Sequence, residues 1–468
     1  MSTITTIPQR QTPSASDLKD FYVGKTLHDV PKPAVTLDIS KARRHCDSML
    51  SATKAMGVGF RAHVKTHKTT QLTQLQLGTS PTTPANLVVS TLSEIQHLLP
   101  LLQTYLTTSR PFNILYGIPI PSSQVPRLAS LATLLGPGSI SIMLDHPAQL
   151  PSITHFHSLT NHAVGVYLKV DTGYHRAGLP PKDLDKGGLL SGIVALAREG
   201  KAVFLGLYSH SSLSYAGSSV KEAMDSLAGE IDGCVDALRG NAGALEGVRE
   251  LTVSVGASPQ VTAIENFEDG RVGVTEETRG LREALRRLGE GVPGLEVRTR
   301  LELHAGVYSV LDMQQWATRS RAHLGDHEDE LAVSVVAEVI SVYNDGEREK
   351  PEALVAVGTL GLGREPCQGY PGWGVVSRGS YAAKGPSERR LIVERISQEH
   401  AVLSWHGGNG DGTPADDKIP LEVGDTVRIY PNHACVTGAM YGWYLVTDSS
   451  DNENPSQIKD VWIRASGW

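Results

Sequence analysis

The run Arg61-Ala62-His63-Val64-Lys65-Thr66-His67-Lys68 reads as a strand ending in lysines set among histidines and hydroxyls. A lysine at a strand's carboxyl end, entering a cavity, loses solvation, and its ammonium pKa falls. The neutral amine is then a nucleophile able to form a Schiff base with an aldehyde cofactor. For any single lysine the plainer reading is a solvated residue flanking a strand. What the chain brings to the same place decides between the two.

Four further segments carry polar residues at the ends of apolar runs. They are Lys169-Val170-Asp171-Thr172-Gly173-Tyr174-His175-Arg176-Ala177-Gly178, Gly206-Leu207-Tyr208-Ser209-His210 followed by Tyr215, Val255-Gly256-Ala257-Ser258-Pro259, and His304-Ala305-Gly306-Val307-Tyr308. Together they offer an amine nucleophile, an arginine, two tyrosines, and glycine turns whose backbone N–H groups can cradle a phosphate. A phosphorylated aldehyde cofactor, pyridoxal 5'-phosphate, uses every one of these. Each has a structural alternative. Gly256 and Gly306 can be plain turn glycines, Asp171-Thr172-Gly173 an Asx turn, Tyr208 and Tyr215 core residues with satisfied hydroxyls, and His67, His175 and His210 supporting groups. Joint placement carries the argument.

The secondary structure that carries these residues forms a regular series. Strand candidates fall at Phe60–Lys65, Asn86–Ser90, Asn113–Gly117, Ser139–Asp145, Val164–Asp171, Val203–Ser209, Leu251–Gly256 and Arg300–His304, with amphipathic stretches such as Leu92–Leu102 and Lys182–Arg198 between them. Near-continuous apolar runs such as Ile140-Ser141-Ile142-Met143-Leu144 suit strands buried on both faces. Eight strand–helix repeats over roughly 250 residues predict a (β/α)8 TIM-type barrel, whose chemistry sits at the carboxyl ends of its strands. A doubly wound open sheet is the alternative. One extra strand, Ala34–Asp38, must lie outside the eight or on a second domain.

Past residue 320 the rhythm changes. Val333–Val342, Ala353–Leu360, Trp373–Tyr381, Arg390–Ile396, Ala401–Trp405, Asp425–Tyr430 and Trp443–Val446 are closely spaced strand candidates separated by Gly, Pro and Asp turns. The fold class expected is therefore α/β, a barrel over residues 31–318 followed by an all-β domain over residues 319–468. Residues 1–30 form an N-terminal leader, loose over Met1–Ser16, whose end packs on the β domain. The stretch Gly407–Asp417 has the composition of a mobile surface loop.

In the second domain, His433 and Cys435 follow the strand candidate. In extended backbone, residues two apart share a face, so the two can converge on one ion. Imidazole with thiolate favours zinc, and two protein ligands would leave positions open for water or substrate. A buried cysteine beside an unrelated histidine is the alternative.

Composition narrows the class. The chain has 468 residues, 40% hydrophobic and 20% charged, with a net charge of −7. That charge, with no basic stripe, argues against a nucleic-acid partner. Four scattered cysteines are too few for a disulfide framework. No apolar run is long enough to span a bilayer, and the first 30 residues lack a signal peptide's apolar core. A cytoplasmic enzyme acting on a small molecule is expected.

From Pro31 to Trp468 these segments resemble the eukaryotic-type D-serine dehydratases. That family is a branch of the alanine-racemase-like, fold type III pyridoxal-phosphate enzymes, which also include the D-threonine aldolases. The resemblance puts the Schiff base on Lys65 rather than Lys68 and the cofactor's phenolic oxygen against Arg176. It matches Tyr208 and Tyr215 to family tyrosines, Gly256, Ala257 and Ser258 to the phosphate loop, and His433 with Cys435 to the dehydratase zinc pair. Pro371-Gly372-Trp373-Gly374 is a further family-like segment. Ala62 stands where a proline is usual, and Gly-Ala-Ser-Pro-Gln at 256–260 replaces the commoner Gly-Ser-Thr-Pro-Thr. An aldolase is expected to carry a carboxylate where Cys435 stands.

The resemblance implies a homodimer in which one subunit's β domain meets the other's barrel. It further implies conversion of D-serine to pyruvate and ammonia, with Lys65 taking the Cα proton and zinc assisting loss of the β-hydroxyl. A D-threonine aldolase, a broader D-hydroxyamino-acid lyase, or a non-catalytic carrier of the cofactor are the rival readings.

Overall fold

Eight parallel strands close on themselves: β2 (Gly59–His63), β3 (Ala85–Val89), β4 (Phe112–Pro119), β5 (Ile140–Leu144), β6 (Val164–Val170), β7 (Ala202–Ser209), β8 (Glu250–Val255) and β9 (Arg298–Ala305). They are seen in a computed structural model that describes residues 13–267, 275–294, 296–381, 389–407 and 418–468. Closure is made by β2 against β9, with Arg61 opposite His304 and Ala62 opposite Ala305. All five residues of β5 and all seven of β6 are buried, as a sheet covered by helices outside and packed side chains inside requires. The open-sheet alternative is thereby removed.

The barrel interior is not wholly apolar. Arg61 lies in it with its side chain 3% exposed, its Nε donating to Glu302 Oε1 at 2.7 Å. Its other nitrogens reach the Leu87 carbonyl, Asn113 Oδ1 and the Tyr167 hydroxyl. Glu302 also accepts from Asn86 and Ser254. A buried ion pair repays its desolvation only when its remaining donors and acceptors are satisfied, and here the strands supply the partners.

The second unit is a nine-stranded sheet: β1 (Ala34–Asp38), β10 (Val333–Tyr343), β11 (Glu352–Val355), β12 (Gly374–Val376), β13 (Leu391–Ile396), β14 (Ala401–Trp405), β15 (Thr426–Pro431), β16 (Trp443–Thr447) and β17 (Asp460–Ile463). Its order is β11-β14-β13-β12-β15-β10-β1-β16-β17, and a further pairing of β11 with β10 joins that run back on itself. The extra strand β1, first in the chain, is thus built into the late sheet between β10 and β16. Asp38 at its end caps the helix Ile39–Met56, accepting from the Ser40 and Lys41 N–H groups, and so sends the chain into the barrel.

The expected strands Ala353–Leu360 and Trp373–Tyr381 shrink to four and three residues. The first gives way to a short helix at Thr359–Leu362 and the second to a turn at Arg378–Ser380. The helix Ala15–Tyr22 packs Leu18 and Tyr22 against Val336, Leu445 and Val461 of the sheet. The leader's first 12 residues and residues 408–417 of the expected loop lie outside the described residues.

Candidate active site

Strand β2 ends at His63, two residues short of the expected end, and the chain turns through Lys65, Thr66 and His67 into the helix Thr70–Leu77. That helix is capped by Thr69, whose hydroxyl accepts from the Leu72 N–H. His67 is wholly buried and pins the turn: its Nδ1 accepts from the Thr69 N–H and its Nε2 meets Gln76 Oε1 at 2.9 Å. Two lysines three residues apart therefore face differently. Lys68 turns back, with φ +53°, to an ion pair with Glu94, while Lys65 is half-buried on the wall of a cavity.

The cavity has a volume of about 370 Å³ and lies where the barrel mouth meets the β domain. Lys65, Arg176, Tyr215, Ala257 and Ser258 line it from the barrel, and His433 and Cys435 from the opposite side. Seven of the nine residues singled out from sequence thus share one space. Tyr208 and Gly256 do not reach its surface. Tyr208 lies one layer deeper, its ring stacked on the lining residue His304 at 4.1 Å between centroids and 6° between planes.

Gly256 works from behind. Its φ of +147° is open to glycine alone, and a Cβ there would stand 2.4 Å from the His304 carbonyl oxygen. Its N–H donates to Glu230 Oε2 at 2.8 Å, and its carbonyl accepts from His210 Nδ1 at 2.5 Å. Glu230, on the helix Val220–Gly240, also accepts from the Gln260 amide and the Ser209 hydroxyl. Burial drives its carboxyl up to about 7 against the opposing pull of Lys169 and these donors. Sequence reasoning missed Glu230, one of five acids in an amphipathic helix and the one on its buried face. Ser258 Oγ accepts from the Gly306 and Tyr308 N–H groups, joining the turns after β8 and β9.

The Asx-turn alternative for Asp171 is realised: Oδ1 accepts from the Gly173 and His175 N–H groups at 3.0 Å. The loop it folds carries Tyr174 and the exposed Arg176 to the rim, the guanidinium 5.1 Å from the Tyr174 ring centre. His304 Nδ1 lies 3.1 Å from the Ser254 hydroxyl, but its buried Nε2 has no hydrogen-bond partner. Burial holds the pKa values of His63, His210 and His304 well below the ordinary histidine range, and the nearby positive charges add to it. These rings are neutral near pH 7.

His433 and Cys435 do converge, by a different route from the one expected. His433 is extended, but Cys435 already stands in the helix Ala434–Ala439, which starts directly after His433. The junction is held by Asp312, whose Oδ2 accepts from the Ala434 N–H at 2.9 Å. Burial favours a neutral imidazole, yet Cys435, Asp312 and Glu365 outweigh it and raise His433 to about 9. Burial likewise opposes ionisation of Cys435, and is outweighed by His433, Lys65 and Thr66, which lower its pKa. Such a pair rests as an imidazolium and a thiolate, and offers two ligands to a borderline-soft cation that displaces the imidazolium proton. Among the described residues no three His, Cys, Asp or Glu side chains converge as a metal-holding group.

Comparison with known proteins gives matches over nearly the whole chain. A family model of the alanine racemase N-terminal domain matches residues 37–275, and one of a serine dehydratase domain matches residues 332–447. The D-serine dehydratase of Schizosaccharomyces pombe is 33% identical over 460 residues, covering 97% of this chain and 95% of that protein. The D-serine dehydratase of Saccharomyces cerevisiae is 27% identical over 476 residues, covering 97% of this chain and 100% of that protein. Among solved structures, D-threo-3-hydroxyaspartate dehydratase from Delftia sp. HT23 superposes with a TM-score of 0.68 at 24% identity, over 95% of this chain and 100% of that one. A mutant of that protein has been solved in a metal-free form. No helix among the described residues is long and apolar enough to cross a membrane.

Proposed function

This chain belongs to the D-serine dehydratase family on the alanine racemase-type barrel, and we propose that it is a carbon–nitrogen lyase converting D-serine to pyruvate and ammonia with pyridoxal 5'-phosphate and zinc. One observation carries the reading. Of two neighbouring lysines only Lys65 opens onto the cavity, and the facing wall presents the His433–Cys435 pair.

The residues present fit both groups. For the phosphorylated aldehyde there is a cavity-facing amine, an exposed arginine, and a turn at Gly256 that leaves no room for a side chain. For zinc there is a thiol of lowered pKa beside an imidazole. Pyridoxal phosphate would supply an aldehyde to capture the amine and a sink for negative charge at Cα, and zinc a Lewis acid for the departing hydroxyl. Lys65 Nζ would hold the aldehyde and, once free, take the Cα proton. Arg176 would face the phenolic oxygen. The Gly256 N–H is committed to Glu230, so Ala257 and Ser258 are the loop residues left to meet the phosphate. Tyr215 closes the wall beside Cys435, and its buried hydroxyl, raised in pKa by desolvation, stays protonated. Tyr208 would act through His304, supporting that ring from beneath.

In this reading residues 31–318 carry the barrel and residues 319–468 the β domain, β1 excepted. The enzyme is a cytoplasmic homodimer, a reading supported by the exposure of Arg176 on a rim that a partner subunit would cover. The deciding assay is product identity. D-serine should give equimolar pyruvate and ammonia, lost on chelation and on His433→Ala, and restored to the wild type by zinc. Glycine and acetaldehyde from D-threonine as the dominant products would replace this reading with an aldolase, and full activity in metal-free protein would remove the metal from it.

A further inference from the structure

The Glu365 carboxylate stands beside the Nδ1 nitrogen of His433. The imidazole engages the Cys435 sulfur, while its Nδ1 is buried and carries no hydrogen bond. With Nδ1 toward Glu365, Nε2 is the nitrogen left for a metal. Glu365 Oε2 lies 3.7 Å from Nδ1, beyond hydrogen-bond distance but within reach of a small rotation. Asp312, the other carboxylate near His433, is already engaged: Oδ1 accepts from the Gln315 N–H and Oδ2 from the Ala434 N–H. Among the described residues the Glu365 carboxylate has no other partner than His433.

The backbone under Glu365 is fixed to the segment that carries the pair. Asn432, immediately before His433, donates from its amide to the Glu365 carbonyl at 2.8 Å and to the Gly372 carbonyl at 3.0 Å. Gln314 bridges the same two pieces, its side chain donating to the Pro366 carbonyl and its N–H to the Asn432 carbonyl. Thr437, one turn past His433, donates to the Leu362 carbonyl at 2.7 Å. Three side chains thus hold residues 362–366 in register with residues 432–437. A buried N–H without an acceptor costs free energy, and the platform sets a carboxylate where it can remove that cost.

We propose that Glu365 is a positioning residue for the metal pair: it accepts the His433 Nδ1–H, fixes the tautomer that leaves the Nε2 lone pair free for the metal, and raises the basicity of that nitrogen toward zinc. The inference rests on the reading of His433 and Cys435 as metal ligands. Glu365 itself holds no metal in this scheme; it acts through the ring.

Zinc alone is the probe. Full-length protein is stripped with a chelator and titrated with Zn2+ against a chromophoric competitor. Glu365→Ala should bind zinc about 10- to 100-fold more weakly than the wild type. Glu365→Gln, whose amide oxygen still accepts from Nδ1–H, should recover most of that loss. Thermal unfolding of the two metal-free variants should match that of the metal-free wild type, because the Glu365 side chain is 43% exposed. Wild-type zinc affinity in Glu365→Ala, with binding lost in His433→Ala, overturns the role of Glu365 and leaves the pair standing. Wild-type affinity in His433→Ala overturns the pair and the positioning role together.

Discussion

The Lys68 ammonium lies 2.9 Å from a Glu94 carboxylate whose side chain is 0% exposed. Glu94 also accepts from the Ser90 N–H and the Thr91 hydroxyl, so it is a buried acid held inside the barrel wall with Lys68 as its ion-pair partner. That leaves Lys65 as the amine of this turn with access to the cavity. Borohydride reduction of the yellow holoenzyme should fix the cofactor to a peptide at Lys65, and Lys65→Ala should lose turnover while keeping its fold. Lys68→Met should instead unfold more readily, by about 3 kcal/mol, because it strands a buried carboxylate. Peptide mapping and urea midpoints check the two halves, and label on Lys68 reverses the assignment.

Glu230 gives the fold a pH dependence of known sign. Its carboxyl rises from 4.5 to about 7 on burial. Between those values the folded chain holds a proton that the unfolded chain has lost, so stability falls as pH rises from 4.5 to 7 and is level above. The span amounts to about 3 kcal/mol. Glu230→Gln keeps an acceptor for the Gly256 N–H and cannot ionise. The stability difference between wild type and this variant should therefore shift by that amount across the window. Urea midpoints at half-unit pH steps read it, and a flat difference curve refutes the assignment.

Gly256→Ala should damage the site without removing a polar group. The new methyl would meet the His304 carbonyl oxygen at 2.4 Å and Val261 Cγ2 at 2.6 Å, on a backbone with φ +147°. Strain of this kind costs about 1–3 kcal/mol, and the turn must move to relieve it. Titration of the metal-loaded protein with pyridoxal phosphate, followed by absorbance, should show weaker binding. Gly173→Ala is the control, since that glycine has φ +115° but nothing within 4 Å of its Cβ.

What could be read from sequence follows from how far each signal reaches along the chain. The eight barrel strands are apolar runs bounded by turn residues, a local pattern, and each was placed within about two residues at either end. Lys65, Arg176 and Ser258 were legible because strand ends mark the barrel mouth. The convergence of His433 and Cys435 was legible, but its cause was not, since an extended segment and a strand-to-helix junction both bring residues two apart together. Tyr208 lies one layer below the cavity, because a place near a strand's end gives the mouth of the barrel and not the depth. Glu230 and Glu365 escaped altogether. Each is an ordinary acid in its own segment, and acquires meaning only from Gly256 and His433, which the fold brings to it from far along the chain.

Strand β1 sits between β10 and β16, with Leu37 opposite Val333 on one side and Val446 on the other. On a ribosome this arrangement imposes an order. At about 5–20 residues per second, β1 waits on the order of 20–80 s for its last neighbour. All eight barrel strands emerge in that interval, and each pairs with strands made shortly before it apart from the closing contact of β2 with β9. The barrel is therefore complete while β1 hangs from it as an unpaired edge, the kind of surface that invites pairing with other chains. Early and late strands thus finish one sheet together, and the nascent chain is at its most vulnerable between the closing of the barrel and the arrival of β10, with one side of β1 still open until β16.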